Sequence, residues 1–265
     1  MSQQRHAKRS APRLVAWILA GVCVLLLSGG AVAWAAMHPE LFSARAVPTS
    51  TPTPTKPATH RPTPTATPTP TPTWNVDDPN SLTVVVNKLR PLTPQDFTPS
   101  DLRDVNVPHT WQPRLRAEAA TAVETMFAAA QSEAGLALAS NSAYRSFTAQ
   151  QNIYHGDDRS TARPGFSEHQ TGLAMDIGAV SGKCSLNACF ADTPEGQWLA
   201  TNAWRFGFVL RYPNGQDAIT GYEFEPWHYR YIGVSAAKRF HDTKAVTLEG
   251  FLGLPAAPDY LAPAG

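Results

Sequence analysis

Two short motifs contain residues that could bind a metal ion together. In the string Ser-Glu-His-Gln-Thr-Gly-Leu-Ala-Met-Asp, His169 and Asp176 are seven positions apart, and in Glu-Pro-Trp-His, Glu225 precedes His228 by three. Two imidazoles and one carboxylate can hold a zinc ion and leave its fourth position open for water, which distinguishes catalytic zinc sites from closed structural ones. Glu225 would then be free to act as a base toward that water.

The residues around these motifs predict a domain of mixed helices and short strands. Apolar residues recur at three- and four-residue steps after Pro113, which indicates an amphipathic helix that ends near Gly135. Short β-branched or apolar runs bounded by turn residues predict strands. The predicted strands are 82–86, 136–139, 173–177, 207–212 and one within 220–231, and the further helices begin near 146, 193 and 234, while the tail from Pro255 is expected to fray.

The N-terminal residues have the pattern of a membrane anchor. Basic residues within 1–13 precede an uncharged run over 14–37, which is long enough to cross a bilayer core of about 30 Å. The basic flank predicts a cytoplasmic N-terminus and an extracellular remainder, hence a single-pass protein of the cell membrane. The alternative is a cleaved signal peptide, for which Ala33-Trp34-Ala35 offers a cleavage site. The rest of the chain is exported in both cases.

Residues 38–74 form a predicted extracellular linker that is rich in Pro and Thr, most densely over 48–73. Pro cannot propagate a helix or a sheet, and the segment has few apolar side chains to bury. A polyproline II conformation would extend these residues to roughly 80 Å at about 3.1 Å per residue. Residues 75–265 then remain as one domain with a sizeable core.

The overall charge excludes one class of partner. The 265 residues have a formal net charge of +1, which gives no electrostatic footprint for nucleic acid. We therefore predict no nucleic-acid partner. Separately, we expect a monomer that contacts the membrane through its N-terminal helix.

Four sequence blocks resemble those of VanY-type D-alanyl-D-alanine carboxypeptidases, a branch of the zinc D,D-peptidases. The blocks are Asn87-Lys88 with Arg90-Pro91-Leu92; Ser142-Ala143-Tyr144-Arg145-Ser146 with Gln150; Ser167 through Asp176; and Gly221-Tyr222 with Glu225 through Tyr231. The resemblance implies an α+β fold in which flanking helices support a small antiparallel sheet that holds the metal. The segment between Gln150 and Ala162 is shorter than in many similar sequences and is predicted to rim the cleft.

The resemblance also implies a role for individual residues. It implies His169, Asp176 and His228 as zinc ligands, Glu225 as the catalytic base and Arg145 as the residue that stabilises the oxyanion. Substrate contacts are expected from Tyr144, Gln150 and Ser167, although Ser167 could instead only cap its turn.

Simpler interpretations exist for most of these residues. Any single His could be an ordinary polar residue, Glu225 could pair with Arg230, and Arg145 could pair with the terminal carboxylate of a substrate. Glu168 and Glu223 are weaker candidates for the base, each being interpreted as a surface residue or as support for the ligands.

Cys184 and Cys189 are predicted to form a disulfide bond, because the domain is exported and a loop of this size can close. The alternative, a Cys/His metal site, lacks a third ligand nearby.

The resemblance implies an enzyme that removes the terminal D-Ala from peptidoglycan stem pentapeptides. Two alternatives remain, an L,D-carboxypeptidase that acts on tetrapeptides and a wall-binding module without turnover. The presence of Glu225 and Arg145 argues against the module.

Overall fold

The structure, a computed structural model, describes residues 74–261. The predicted cytoplasmic segment 1–13, the anchor 14–37 and the linker up to residue 73 lie outside the described residues. Among the residues that are described, no helix is both long enough and apolar enough to cross a membrane.

The described residues form an α+β fold whose strands are all antiparallel. Strands β1 and β2 pair as a ribbon, and the other four form a sheet in the order β3–β4–β6–β5. The strands are β1 (Leu102–Asp104), β2 (Arg114–Arg116), β3 (Leu138–Ser142), β4 (Ala174–Ala179), β5 (Phe208–Tyr212) and β6 (Glu225–Tyr231). The helices are α1 (Ala117–Ala134), α2 (Phe147–Ile153), α3 (Pro194–Asn202), α4 (Asp217–Thr220), α5 (Val234–Asp242) and α6 (Leu248–Leu252). This confirms the predicted small antiparallel sheet with flanking helices.

Helix α1 supplies one side of the main core. Its apolar stripe, which includes Val123 and Met126, is fully buried and belongs to the same apolar cluster as Leu173 and Ile177 next to and on β4. The helix ends at Gly135, which adopts a positive φ of 69°. Sequence periodicity therefore identified the element against which the central sheet packs.

The strand predicted at 82–86 is absent. Val84 and Val86 are buried, as their β-branched side chains favour, but no neighbouring strand pairs with them. Instead, the side chain of Arg230 donates to the carbonyls of Leu82 and Val84, at 3.0 and 2.7 Å. The guanidinium group of Arg230 thus supplies the hydrogen bonds that these carbonyls would accept from a neighbouring strand in a sheet.

The tail after Pro255 is also ordered against the domain, contrary to expectation. Ala257 is fully buried, and its backbone N–H donates to the carbonyl of Ile219 at 2.8 Å. Lys88 Nζ donates to the carbonyl of Pro258 at 3.0 Å. These contacts come from residues distant in sequence, so composition alone could not reveal them.

The predicted disulfide between Cys184 and Cys189 is confirmed. It closes a loop in which Cys184 and Leu186 both adopt a positive φ, 57° and 50°. This conformation is uncommon for residues other than glycine. The metal-site alternative for these cysteines is therefore wrong.

Replacing both cysteines by serine, Cys184→Ser with Cys189→Ser, should lower the free energy of unfolding by about 2 kcal/mol, because the denatured chain loses a loop constraint. For a domain of this size, Tm should fall by about 4–8 °C. Thermal unfolding measures the change, and wild-type protein in reductant serves as the control that should match the double variant. An unchanged Tm would contradict a stabilising role for the bond.

Candidate active site

The sheet brings the two sequence motifs together. Strands β4 and β6 are antiparallel neighbours, and Asp176 lies directly opposite His228 in their register. Residues paired in this way present their side chains on the same face. His169 lies before β4 in a 3₁₀ turn, Glu168–Thr171, that ends at Gly172 with a φ of 66°. A Cβ at Gly172 would lie 2.8 Å from Leu102, so this turn requires glycine.

An irregularity in β6 places Glu225 beside the same site. The register between β5 and β6 shifts between Leu210, which pairs with Tyr229, and Tyr212, which pairs with Glu225. Strand β6 therefore has two more residues than β5 in this interval, and they form a bulge. Because of the bulge, the side chains of Glu225 and His228 lie on the same face, whereas residues three apart in a regular strand lie on opposite faces. As a result, Glu225 Oε2 lies 3.6 Å from His228 Nδ1. The expected bend near Pro226 is confirmed.

Three side chains converge as a metal site would require. One ligand atom from each of His169, Asp176 and His228 lies within 4.8 Å of the others, and all three residues are buried. His169 Nε2 is 3.3 Å from Asp176 Oδ2, and His228 Nδ1 is 3.1 Å from Asp176 Oδ1. Among the described residues, no other group of His, Cys, Asp and Glu converges in this way.

Hydrogen bonds orient both imidazoles toward the point of convergence. His169 Nδ1 lies 2.7 Å from the carbonyl of Ala143, which can only accept, so Nδ1 carries the proton and Nε2 keeps its lone pair. His228 Nε2 lies 3.3 Å from Glu168 Oε2, which leaves Nδ1 for a metal. This is the arrangement by which carboxylates and carbonyls fix metal-bound histidines.

Burial and charge at the site favour a cation. Asp176 Oδ1 is buried and has no hydrogen-bond partner, although His228 Nδ1 is close. Burial disfavours a charged imidazole, yet the carboxylates of Asp176 and Glu168 outweigh it and raise the pKa of His228 to about 9. The site thus stabilises positive charge at the point where the three ligand atoms meet. Two nitrogens and a carboxylate oxygen suit zinc.

The carboxyl group of Glu225 and the guanidinium group of Arg145 flank this point. Burial raises the pKa of the Glu225 carboxyl to about 8, although the charge of His228 opposes the shift. A bound cation would lower that pKa by attraction. Burial lowers the pKa of Arg145, while Asp176 and Glu225 act in the other direction, and its Nε has no hydrogen-bond partner.

A cleft with a volume of about 210 Å³ opens onto these residues. Of the predicted substrate contacts, Gln150 and Ser167 line the cleft and Tyr144 does not. Gln150 Nε2 donates to the carbonyl of Ala162 at 2.7 Å, and its Oε1 is buried without a partner. The hydroxyl of Ser167 does not cap the turn that follows it. Leu186 of the disulfide loop also lines the cleft.

Comparison with known proteins agrees with this geometry. The family model VanY, D-alanyl-D-alanine carboxypeptidase, matches residues 112–234. The putative carboxypeptidase YodJ of Bacillus subtilis (strain 168) is 40% identical over 190 residues, which is 66% of this chain and 68% of that protein. The chain belongs to the VanY family. The resemblance inferred from the four sequence blocks is thereby confirmed, as is the assignment to carboxypeptidases.

Two solved structures extend the comparison. A structure of the LD-carboxypeptidase LdcB, described as revealing peptidoglycan recognition, is 41% identical with a TM-score of 0.62 and covers 66% of this chain and 87% of its own. The vancomycin resistance D,D-pentapeptidase VanY, a mutant in complex with Zn(II), is 31% identical with a TM-score of 0.53 and covers 65% of this chain and 99% of its own. Both agree with the α+β fold described above.

In this VanY-family chain, Glu168 lies at the centre of a buried ion-pair network. Its Oε1 accepts from Arg211 Nε at 2.8 Å and from Arg230 Nη1 at 3.0 Å, and all three side chains are inaccessible to solvent. Burial opposes the charged carboxylate, but the two guanidinium groups hold the pKa of Glu168 well below its usual range. Of the two interpretations offered for Glu168, support of a ligand is the one that the structure shows. The interpretation of Glu223 as an exposed residue holds.

The network extends beyond the predicted residues. Arg211 also forms two hydrogen bonds with Glu249 of α6, at 2.6 and 3.0 Å, and Asn87 donates to the same carboxylate at 3.0 Å. Arg230 pairs with Glu168 and not with Glu225, so the simpler interpretation of Glu225 is wrong. One sequence signal could have identified Arg211, namely a lone charge inside the apolar strand β5.

Glu168→Gln should lower the free energy of unfolding by about 3–5 kcal/mol, because the buried Arg230 loses its carboxylate partner and the buried Arg211 loses one of two. Urea denaturation of the metal-free protein measures this without a contribution from metal binding. Glu223→Gln, which changes an exposed carboxylate, is the matched control and should stay within about 0.5 kcal/mol of wild type. Equal stability of the two variants would contradict the proposed network.

Proposed function

We propose that this chain is a zinc-dependent carboxypeptidase that removes the C-terminal D-Ala from peptidoglycan stem peptides ending in D-Ala-D-Ala. The observation that carries the proposal is the His169, Asp176 and His228 cluster, which faces a cleft that also contains Glu225 and Arg145. The family model supports the choice of substrate, since its description names D-alanyl-D-alanine carboxypeptidases.

His169 would hold zinc through Nε2, His228 through Nδ1 and Asp176 through its carboxylate. Zinc bound there would supply Lewis acidity that activates water and polarises a carbonyl. Three protein ligands would leave a fourth position for water, as in catalytic zinc sites. The chain's own residues then handle the proton and the developing charge.

Glu225 is the proposed base. Its Oε2 lies 3.6 Å from His228 Nδ1, a proposed ligand atom, and Glu225 lines the same cleft as the three ligands. Its carboxylate would take the proton of the attacking water and pass it to the leaving amine. Arg145 is the proposed stabiliser of the oxyanion, because a half-buried guanidinium with a buried, unpartnered Nε can donate to the developing negative charge at little cost in reorganisation. Gln150 Oε1 is free to accept an N–H of the substrate.

The proposed location follows from the sequence. The basic flank and the apolar run at 14–37 support a single-pass anchor in the cell membrane, and the Pro/Thr-rich linker supports an extracellular domain held away from it. We propose that this domain acts as a monomer on stem peptides of the wall.

A second candidate, L,D-carboxypeptidase activity on tetrapeptide stems, is favoured by one observation. The structure of the LD-carboxypeptidase LdcB is 41% identical to this chain. The two substrates differ in the configuration of the residue before the scissile bond. The shape of the cleft around that residue would decide between them, because both activities would use the same zinc ligands and the same base.

One experiment separates the candidates. The full-length protein is incubated with muropeptides that carry pentapeptide or tetrapeptide stems, with and without a chelator. The products are identified by mass spectrometry. The proposal predicts loss of one D-Ala from the pentapeptide and no loss with chelator. Cleavage of the tetrapeptide alone would favour the second candidate, and binding without cleavage of either would indicate a wall-binding module.

Glu225→Gln should retain zinc but lose activity by a factor of about 10²–10⁴, because the attacking water has no proton acceptor. Zinc content by atomic absorption and kcat on the cleaved muropeptide provide the two readouts. Glu223→Gln, which alters an exposed carboxylate two residues earlier, is the control and should keep the zinc content and the kcat of wild type. If Glu225→Gln retained more than about a tenth of the wild-type kcat, another group would have to be the base.

A further inference from the structure

A loop over residues 157–165 forms one wall of the cleft. Ser160, Thr161 and Ala162 line the cavity. The loop is held together internally, because Asp158 accepts two hydrogen bonds from Arg163, at 3.0 and 2.6 Å. The contacts of this loop with the rest of the domain therefore determine where the wall lies.

Tyr260, in the C-terminal segment, makes several of those contacts. Its hydroxyl accepts from the backbone N–H of Arg163 at 2.9 Å and lies 3.1 Å from the hydroxyl of Tyr222, which also lines the cleft. The guanidinium of Arg163 stacks on the Tyr260 ring at 4.1 Å, and the ring of Phe166 meets it edge-on at 5.0 Å. One side chain thus contacts both the loop and Tyr222, another residue that lines the cleft.

The segment that carries Tyr260 is itself fastened to the domain. Lys88, which is buried, donates to the carbonyl of Pro258 and lies over the rings of both Tyr222 and Tyr260, at 5.1 and 5.6 Å. The buried Ala257 bonds to the carbonyl of Ile219. Tyr260 therefore has a fixed position from which it can hold loop 157–165.

These residues do not touch the metal ligands. Tyr260 contacts none of His169, Asp176, His228 and Glu225 through the hydrogen bonds and ring contacts given above, and it lies outside the residues matched by the family model. Any effect of Tyr260 on the reaction must therefore pass through the cleft walls.

We propose that Tyr260 is a positioning residue: the C-terminal segment 255–261 braces loop 157–165 and Tyr222, and so sets how tightly the stem peptide is held. That the bound peptide is a peptidoglycan stem peptide rests on the proposed function. Without the brace, the loop must be ordered each time a peptide binds, and that ordering opposes binding. The ground state and the transition state lose the same contacts, so KM rises while kcat is retained.

The test compares Tyr260→Ala and Tyr260→Phe in the full-length protein. Leu261→Ala, which changes an exposed side chain one residue later, is the matched control. Tyr260→Ala removes the ring and the hydroxyl and should raise KM for the cleaved muropeptide by about 5- to 10-fold, the equivalent of one or two lost contacts. Tyr260→Phe keeps the ring and should show a smaller rise. For all three variants, kcat and zinc content should match wild type.

Hydrogen exchange gives a readout that does not depend on activity. Amides within 157–165 should exchange faster in Tyr260→Ala, whereas those of α1 should not, because the core is untouched. Unchanged exchange of the loop, or faster exchange of α1 and the loop together, would overturn the proposal. So would a fall in kcat with zinc loss. If wild-type protein cleaves neither muropeptide, the proposed function fails, yet the exchange result still decides whether Tyr260 braces the loop.

Discussion

One buried carboxylate, that of Glu168, determines how the parts of this site fit together. It contacts Arg211 of β5, Arg230 and His228 of β6, and it lies in the turn that carries His169. A carboxylate taken out of water is very unfavourable unless its oxygens are fully bonded. The turn, β5 and β6 must therefore adopt one relative arrangement, and that arrangement brings the two histidines to the same point.

The same carboxylate links stability to chemistry. By accepting from His228 Nε2, it leaves Nδ1 directed toward Asp176, and the antiparallel register places Asp176 directly opposite. The β6 bulge then adds Glu225 to this face. The ligands and the base thus occupy strands β4 and β6 and one glycine-terminated turn, and regular elements of this kind hold a site's geometry during a reaction. Arg145 lies in the short segment between β3 and α2. Residues of loop 157–165 line the same cleft.

The sequence predicted what local patterns determine. The periodicity of α1 and its end at Gly135, the bend near Pro226 and the Cys184–Cys189 bond all depend on residues close in the chain. The predictions that were wrong concern segments whose conformation depends on residues distant in sequence. The run at 82–86 looks like a strand, but its carbonyls bond to an arginine about 150 residues away. The tail looked unstructured, yet Lys88 and Ile219 hold it. Likewise, nothing near Glu168 in sequence indicates that Arg211 and Glu249 complete its network.

His169, Asp176 and His228 are proposed to form one zinc site with an open position. X-ray absorption at the zinc edge of the zinc-loaded, full-length protein measures the ligands of that ion. We expect two imidazole nitrogens and one or two oxygens at about 2.0–2.2 Å, and in His228→Ala the loss of imidazole scattering together with most of the bound zinc. Zinc–sulfur scattering at about 2.3 Å, or full zinc occupancy in His228→Ala, would contradict it.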